Sequence, residues 1–462
     1  MLSGLNLILF FMVLIVLMIV SIAKLKLHPF LAIMSAALLL ALSALPLDKV
    51  PTTIGAGFAA TFSSLGIVII LGALIGSMLE QSGAALTMAD TVIRLVGRKF
   101  PDLAMVLMGW LVSISVFCDS GYVMLTPIRK AMARRTGAST VTMVVALAAG
   151  LYTSHVFIPP TPGPIAAAES LGIGSNMLML IIFGTIVSVP VLLAGWIFAR
   201  FAKRWAVSAE DSANEKDVQL SYEELKAKYG RMPGAAAAFA PIILPIVLMA
   251  AKSVADMLKM SGFCGELLRF LGTPMISLAA GLVIAVICFS SSMTRDEFYT
   301  LVNDSLKVVG PILFITAGGA VLGKVINDAK IVHYITGNLP GVTALGIFFP
   351  FILAALLKTA QGSSTVAIVT TAGIMGLYSA GDSMMAALGL TTPVSAVLTV
   401  MAIGAGAMTV SHANDSYFWV VTNFGGLKPL DGYKTFTVCT LVMGIVGIVA
   451  IWLLNTILTA FC

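Results

Sequence analysis

The chain has 462 residues, 59% of them hydrophobic and only 10% charged, with a mean hydropathy of +1.03 and a formal net charge of +6. Soluble domains carry about 25% charged residues, so ordinary soluble enzymes are excluded, and a basic excess scattered over short loops does not point to nucleic acid. Eleven stretches of 18 or more residues lack Asp, Glu, Lys and Arg, among them 1–23, 50–79, 136–168, 170–199, 383–414 and 435–462. A bilayer core of about 30 Å takes about 20 apolar helical residues to cross, and the alternation of a membrane β-barrel is absent. The expected fold is therefore an all-α polytopic membrane protein. Cys118, Cys264, Cys288, Cys439 and Cys462 are scattered, without a C-x-x-C or a His at metal spacing. They suggest neither a disulfide framework nor a metal site, and no cofactor is expected.

Residues Met1 to Ala23 lack a basic leader and an A-x-A cleavage site, so they read as a retained first helix. Spans follow at 30–46 and 62–79. Segment 102–135 is basic on both flanks, with Arg94, Arg98 and Lys99 before it and Arg129, Lys130, Arg134 and Arg135 after it. Positive residues favour the cytoplasm, so both ends belong there and the N-terminus lies outside. The polar, turn-prone run Phe117 to Gly121 at its centre makes it a hairpin that dips into the membrane. Such irregular backbone is tolerated at depth only when buried in protein or lining a wet cavity. A long span over 139–172 and another over 176–199 complete the first half, and the charged stretch 200–231 reads as a cytoplasmic linker. Spans resume at 236–258, 273–290 and 310–326. Segment 343–378 is a second hairpin, tipped by Lys358 to Thr365 and entering from the opposite face. Segments 393–424 and 435–460 end the chain.

The halves echo each other. Gly72-x-x-x-Gly76 precedes the first hairpin and Gly319-x-x-x-Gly323 the second; each half then has a long span broken at a Ser-His pair. Five full crossings per half would invert the second, giving two inverted structural repeats: 1–204, a linker at 205–235, and 236–462. The expectation is about 10 transmembrane helices, two re-entrant hairpins and two broken helices. Paired broken helices mark secondary transporters, with the site at the repeat interface.

Polar residues stand at each break. Asp119, in the first tip, is a proton carrier or cation ligand, or a turn Asp capping the helix that follows. Near His155, Pro159, Pro160, Pro162 and Pro164 must break the helix. Its second half then presents unpaired N–H groups and a positive dipole end, which suit an anion. Asn414, Asp415 and Ser416 open the mirror-image helix beside His412, where a capping role is the bland alternative. Gln361, Gly362, Ser363, Ser364 and Thr365 offer hydroxyls and N–H groups for a carboxylate and polyol. Lys358 is either the partner of an anionic substrate or a snorkelling residue. Glu80, Asp90, Glu169 and Asp382 fall at span ends and read as solvated, and the G-x-x-x-G glycines read as packing contacts.

At these motifs the sequence resembles the gluconate permease family of bacterial proton symporters, over essentially the whole chain. His155, Pro159, Pro160, Pro162, Gly163 and Pro164 match its Pro-rich break, with Thr161 where the family has a second His. Gly362, Ser363, Thr365, Val366 and Ala367 match its Gly-Ser motif. Ser411, His412, Asn414, Asp415, Ser416, Phe418 and Trp419 match its Ser-His motif. The first tip has Asp119-Ser120-Gly121 where the family often has Glu-Val-Gly. The resemblance implies proton-coupled uptake of gluconate or a related sugar acid across the inner membrane, by a mobile hairpin-bearing domain in a homodimer. The substrate-binding candidates are Ser120, Gly121, Ser154, His155, Thr161, Gly163, Gln361 to Thr365, His412, Asn414 and Asp415. Coupling candidates are Asp119 and Asp415. Asp119, in a sparse tip, is expected to carry the proton, and Asp415 to organise the site. The departures at Thr161 and Asp119 leave a shorter hydroxy acid such as glycerate, or D-serine, as alternative substrates, and sodium as the alternative coupling ion. No G-x-x-x-x-G-K-[ST] is present to support ATP-driven pumping. H-E-x-x-H and G-x-S-x-G are absent too, so a membrane-bound enzyme is the weaker class, and a passive channel a third.

Overall fold

Helix starts fall where proline can stand without forfeiting a hydrogen bond. The first turns of α2 (Pro29–Ala44), α3 (Val50–Gln81) and α5 (Pro101–Val112) each contain one, and that of α8 (Pro162–Ser170) contains two, because the leading N–H groups of a helix have no internal partner anyway. The computed structural model describes residues 2–25, 27–97, 100–114, 116–212, 227, 229, 232–289, 293–331, 344–412 and 415–461. Every regular element among them is helical. The rest of the first half comprises α1 (Gly4–Ala23), α4 (Ala84–Val92), α6 (Cys118–Thr136), α7 (Thr140–Phe157) and α9 (Met177–Ala202). The second half comprises α10 (Ala235–Met257), α11 (Gly262–Leu271), α12 (Pro274–Phe289), α13 (Arg295–Asp328), α14 (Phe348–Gln361), α15 (Ser364–Met375), α16 (Pro393–Met408), α17 (Ser416–Phe424) and α18 (Val438–Phe461). Most of the expected linker, residues 213–226, lies outside the described residues.

Among the described residues five helical segments are long and apolar enough to cross a bilayer alone, or seven if two bent pairs each count as one span. The first bent pair turns by 74° between α3 and α4, the second by 72° between α11 and α12. The sequence reading missed the short arms α4 and α11. It also cut α3 and α13 short, at 62–79 and 310–326, because hydropathy marks only their apolar middles. α13 in fact starts at a capping box, in which Thr294 and Glu297 each satisfy the other's backbone N–H.

The first hairpin doubles back as expected. At its start Asp102 accepts from Arg200 near the end of α9, and at its far end Arg129 and Arg134 reach Glu210, just beyond α9. Both ends of segment 102–135 thus meet the same end of α9. Two helices form the centre of the molecule: all of α7 is buried, as is α16 from Ser395 to Met408. They pack on one another, with α5 and α9 around the first and α14 and α18 around the second. Glycine sets the spacing. A Cβ on Gly150 would lie 2.0 Å from the Val106 carbonyl, and one on Gly406 would lie 2.2 Å from that of Phe351. The long helices α3 and α13 pack together and carry α2 and α12. On the outside, α9 exposes Ile182, Ile186, Val189, Leu193 and Ile197. Their three- and four-residue spacing makes one apolar helix face, suited to lipid.

Candidate functional site

Four helix N-termini gather where the sequence breaks. α6 begins at Cys118, α8 at Pro162 after Thr161, α15 at Ser364 after its cap Ser363, and α17 at Ser416 after its cap Asp415. They run as two parallel pairs. Tyr122 of α6 stacks edge-on to Tyr417 of α17, and seven residues further along each helix Arg129 donates to the Phe424 carbonyl at 3.0 Å. In the other pair, Gly163 of α8 faces Ile368 of α15, and beyond their far ends the Tyr378 N–H donates to the Leu171 carbonyl at 3.1 Å. Each pair therefore points its unpaired N–H groups and positive dipole ends toward the breaks.

The floor of this space is aromatic and charged. Tyr152 lies 5.2 Å from the Tyr417 ring and 6.5 Å from that of His155, centroid to centroid, and the Lys358 ammonium stands 5.9 Å above Tyr152. Lys358 is 1% exposed, which rules out snorkelling. Its Nζ donates to Asp415 Oδ2 at 2.5 Å and to the Gly362 carbonyl. The Ser411 hydroxyl donates to the same Asp415 oxygen, while Oδ1 accepts the Tyr417 N–H at 3.0 Å. Asp415 thus caps α17 and neutralises the lysine at once. A buried pair of this kind survives desolvation only when further hydrogen bonds support it; here both Asp415 oxygens are occupied and the lysine has a second acceptor in the Gly362 carbonyl.

Asp119 is placed differently. It lies within electrostatic reach of Asp415 and Lys358, beside Ser416 and Cys118. Its Oδ1 is buried with no hydrogen-bond partner, and so is Nδ1 of His155. Unpartnered buried polar atoms are costly, and these two belong to residues at two breaks, the first hairpin tip and the Pro-rich break. His412 is held through Nε2, 3.1 Å from the Thr359 carbonyl.

Several expected contacts are occupied within the protein. The Thr161 hydroxyl donates to the Ile158 carbonyl at 2.6 Å, and Ser363 accepts the Val366 N–H as a cap. Ser154 is fully buried, its hydroxyl 3.4 Å from the Leu151 carbonyl. Gly121 and Gly163 serve packing: a Cβ would fall 2.8 Å from Leu151 and 3.0 Å from Ile368 respectively. Ser364 sits beside Tyr152. Ser120 and Thr365 are partly exposed at the starts of α6 and α15. Asn414 and the side chain of Gln361 lie outside the described residues. Sequence reasoning missed Tyr152 as part of the site; its one signal was its place a turn before His155.

Glu169, read as solvated, is partly so. It is half-buried, and its carboxylate folds over Gly174, where a Cβ would come within 2.0 Å of it. With Lys324, Asn327 and Asp382 it lines a cavity of about 290 Å³ at the far ends of α8 and α15. The second G-x-x-x-G does serve packing, since a Cβ on Gly323 would meet the Gly373 carbonyl of α15 at 2.0 Å.

The family profile described as GntP family permease matches residues 5–457. The chain is 31% identical to the inner membrane permease YgbN of Escherichia coli K12, covering 95% of this chain and 96% of that protein. It is 29% identical to the high-affinity gluconate transporter of the same organism, over 96% and 98% of the two chains. Among solved structures it is similar to MtrF of Neisseria gonorrhoeae, described as one of a class of antimetabolite efflux pumps. There the TM-score is 0.62 at 16% identity, over 94% of this chain and 95% of that one, which supports the fold alone.

Proposed function

The chain belongs to the GntP permease family, and we propose that it brings gluconate or a related hydroxylated monocarboxylate into the cell in symport with protons. As a family member it is a multi-pass integral membrane transporter and not an enzyme; in a bacterium such a protein sits in the inner membrane. The observation that carries the substrate class is the gathering of four helix N-termini over a floor whose lysine is already neutralised by Asp415. An anion at that point gains the N–H groups and dipole ends without competing for a fixed cation. The proton reading rests on Asp119, whose unpartnered Oδ1 leaves it free to exchange a proton where Asp415 is not.

The two parallel pairs also support two inverted repeats. Each pair joins the second hairpin arm of one half to the second part of the broken helix of the other, as a pseudo-twofold axis in the membrane plane requires. The division at 205–235 and a homodimer complete the proposal.

A shorter hydroxy acid such as glycerate is the second reading, favoured by Thr161. Its hydroxyl is turned onto Ile158 and gives a long polyol tail one partner fewer than a histidine would. Thermal unfolding of the purified protein with gluconate, glycerate, D-serine and glucose separates these. A ligand at about 100 times its Kd stabilises by about 2.7 kcal/mol. Stabilisation by gluconate and not by glucose is expected; a shift with D-serine alone would replace the substrate class.

A further inference from the structure

The two parallel pairs end differently. At the far ends of α8 and α15 there is the cavity lined by Glu169 and Lys324. At the far ends of α6 and α17 the chain just after α9 folds back and seals the gap. Arg129 of α6 is fully buried there, and its Nη2 donates to Glu210 Oε1 at 2.8 Å, to Oε2 at 3.0 Å and to the Phe424 carbonyl. Lys130 stands 3.2 Å from the same carboxylate, and Arg134 donates to the Glu210 carbonyl at 2.5 Å. The Ser208 hydroxyl and the Ala209 N–H donate to the carbonyls of Gly425 and Gly426 at 2.7 and 2.8 Å. These carbonyls close α17, where unpaired acceptors and the negative dipole end favour a cation.

The geometry points to a cytoplasmic latch. Residues 208–210 join the hairpin arm α6 to the end of α17, and substrate leaves to the cytoplasm only when Glu210 parts from Arg129. One carboxylate, that of Glu210, pairs with two basic side chains of a single helix, Arg129 and Lys130, while the Glu210 carbonyl takes Arg134. Without that carboxylate a buried guanidinium loses its counter-charge, which is strongly unfavourable, and like charges repel along α6. The closed inner end beside an outer cavity is one state of a two-state element whose populations the ion pair biases. Arg129 and Glu210 are thus positioning residues for transport. The inference rests on the transport site proposed above. Its test needs no substrate, so it stands or falls apart from the identity of the acid or the coupling ion.

The reporter is Thr126→Cys, one turn from Arg129 toward the site and buried, in a chain lacking the native cysteines. A membrane-impermeant thiol reagent is applied to inside-out vesicles. With Glu210 present labelling is slow; Glu210→Gln accelerates it about tenfold or more by shifting the population toward the inner-open state. Glu210→Asp, which keeps the charge, stays slow, and the exchanged pair Arg129→Glu with Glu210→Arg returns toward the parent rate. An unchanged rate in Glu210→Gln overturns the latch. Equal acceleration by Glu210→Asp and Glu210→Gln also overturns it, since packing and not the charge pair would then hold the end. Where Arg129→Glu does not fold, the two Glu210 variants decide alone.

Discussion

Both oxygens of Asp415 are committed, one to Lys358 and Ser411 and the other to the Tyr417 N–H. Removing one member of such a buried pair strands the other charge, at a cost of about 3–5 kcal/mol. Asp415→Asn is therefore expected to lower the unfolding temperature and weaken substrate binding together. Adding Lys358→Met should recover part of the stability but not the binding, and a thermal double-mutant cycle measures the coupling. Asp119→Asn is expected to abolish uphill proton-driven uptake while leaving substrate exchange across the membrane measurable. Full accumulation by that variant would remove Asp119 from the mechanism, and loss of accumulation in Asp415→Asn with binding intact would exchange the two roles. The capping role of Asp415 was legible because the residue opens an apolar helical run. Its pairing with Lys358 was not, since 57 residues and no local pattern separate them, and the lysine looked equally like a snorkelling residue.

At the scale of elements, the breaks could be read because proline, glycine and Ser-His clusters interrupt otherwise apolar runs, and each becomes a helix start or end. The full lengths of α3 and α13 could not, because their polar outer turns carry no hydropathy signal. Glycine packing offers a test within one helix. Gly323→Ala pushes a methyl into the Gly373 carbonyl, and overpacking of this kind costs about 1–3 kcal/mol. Gly310→Ala on the same α13 has nothing within 4 Å and should gain up to about 1 kcal/mol of helix propensity. Opposite shifts in unfolding temperature are expected; equal shifts would deny the close approach of α13 and α15. The hairpins give a second test. Cysteines beside Arg129 should react only from the cytoplasm and one beside Asp382 only from outside. Reaction of residues 100 and 136 from opposite faces would make the first hairpin a simple span.

For the whole molecule, an all-α membrane protein was legible from the low charge together with eleven uncharged stretches long enough to span and the absence of barrel alternation. The side-by-side pairing of α6 with α17 and of α8 with α15 was not. That pairing is set by contacts such as Tyr122 with Tyr417 and Gly163 with Ile368, which join residues far apart in the chain. It turns four separate motifs into one site with two ends, the site to which the proposal assigns symport of the acid with a proton. Uptake of labelled gluconate into proteoliposomes tests that most directly. With the outside acidified and sodium absent, the expected result is accumulation above equilibrium that a protonophore abolishes. Uptake that required sodium and ignored both the pH gradient and the protonophore would contradict it.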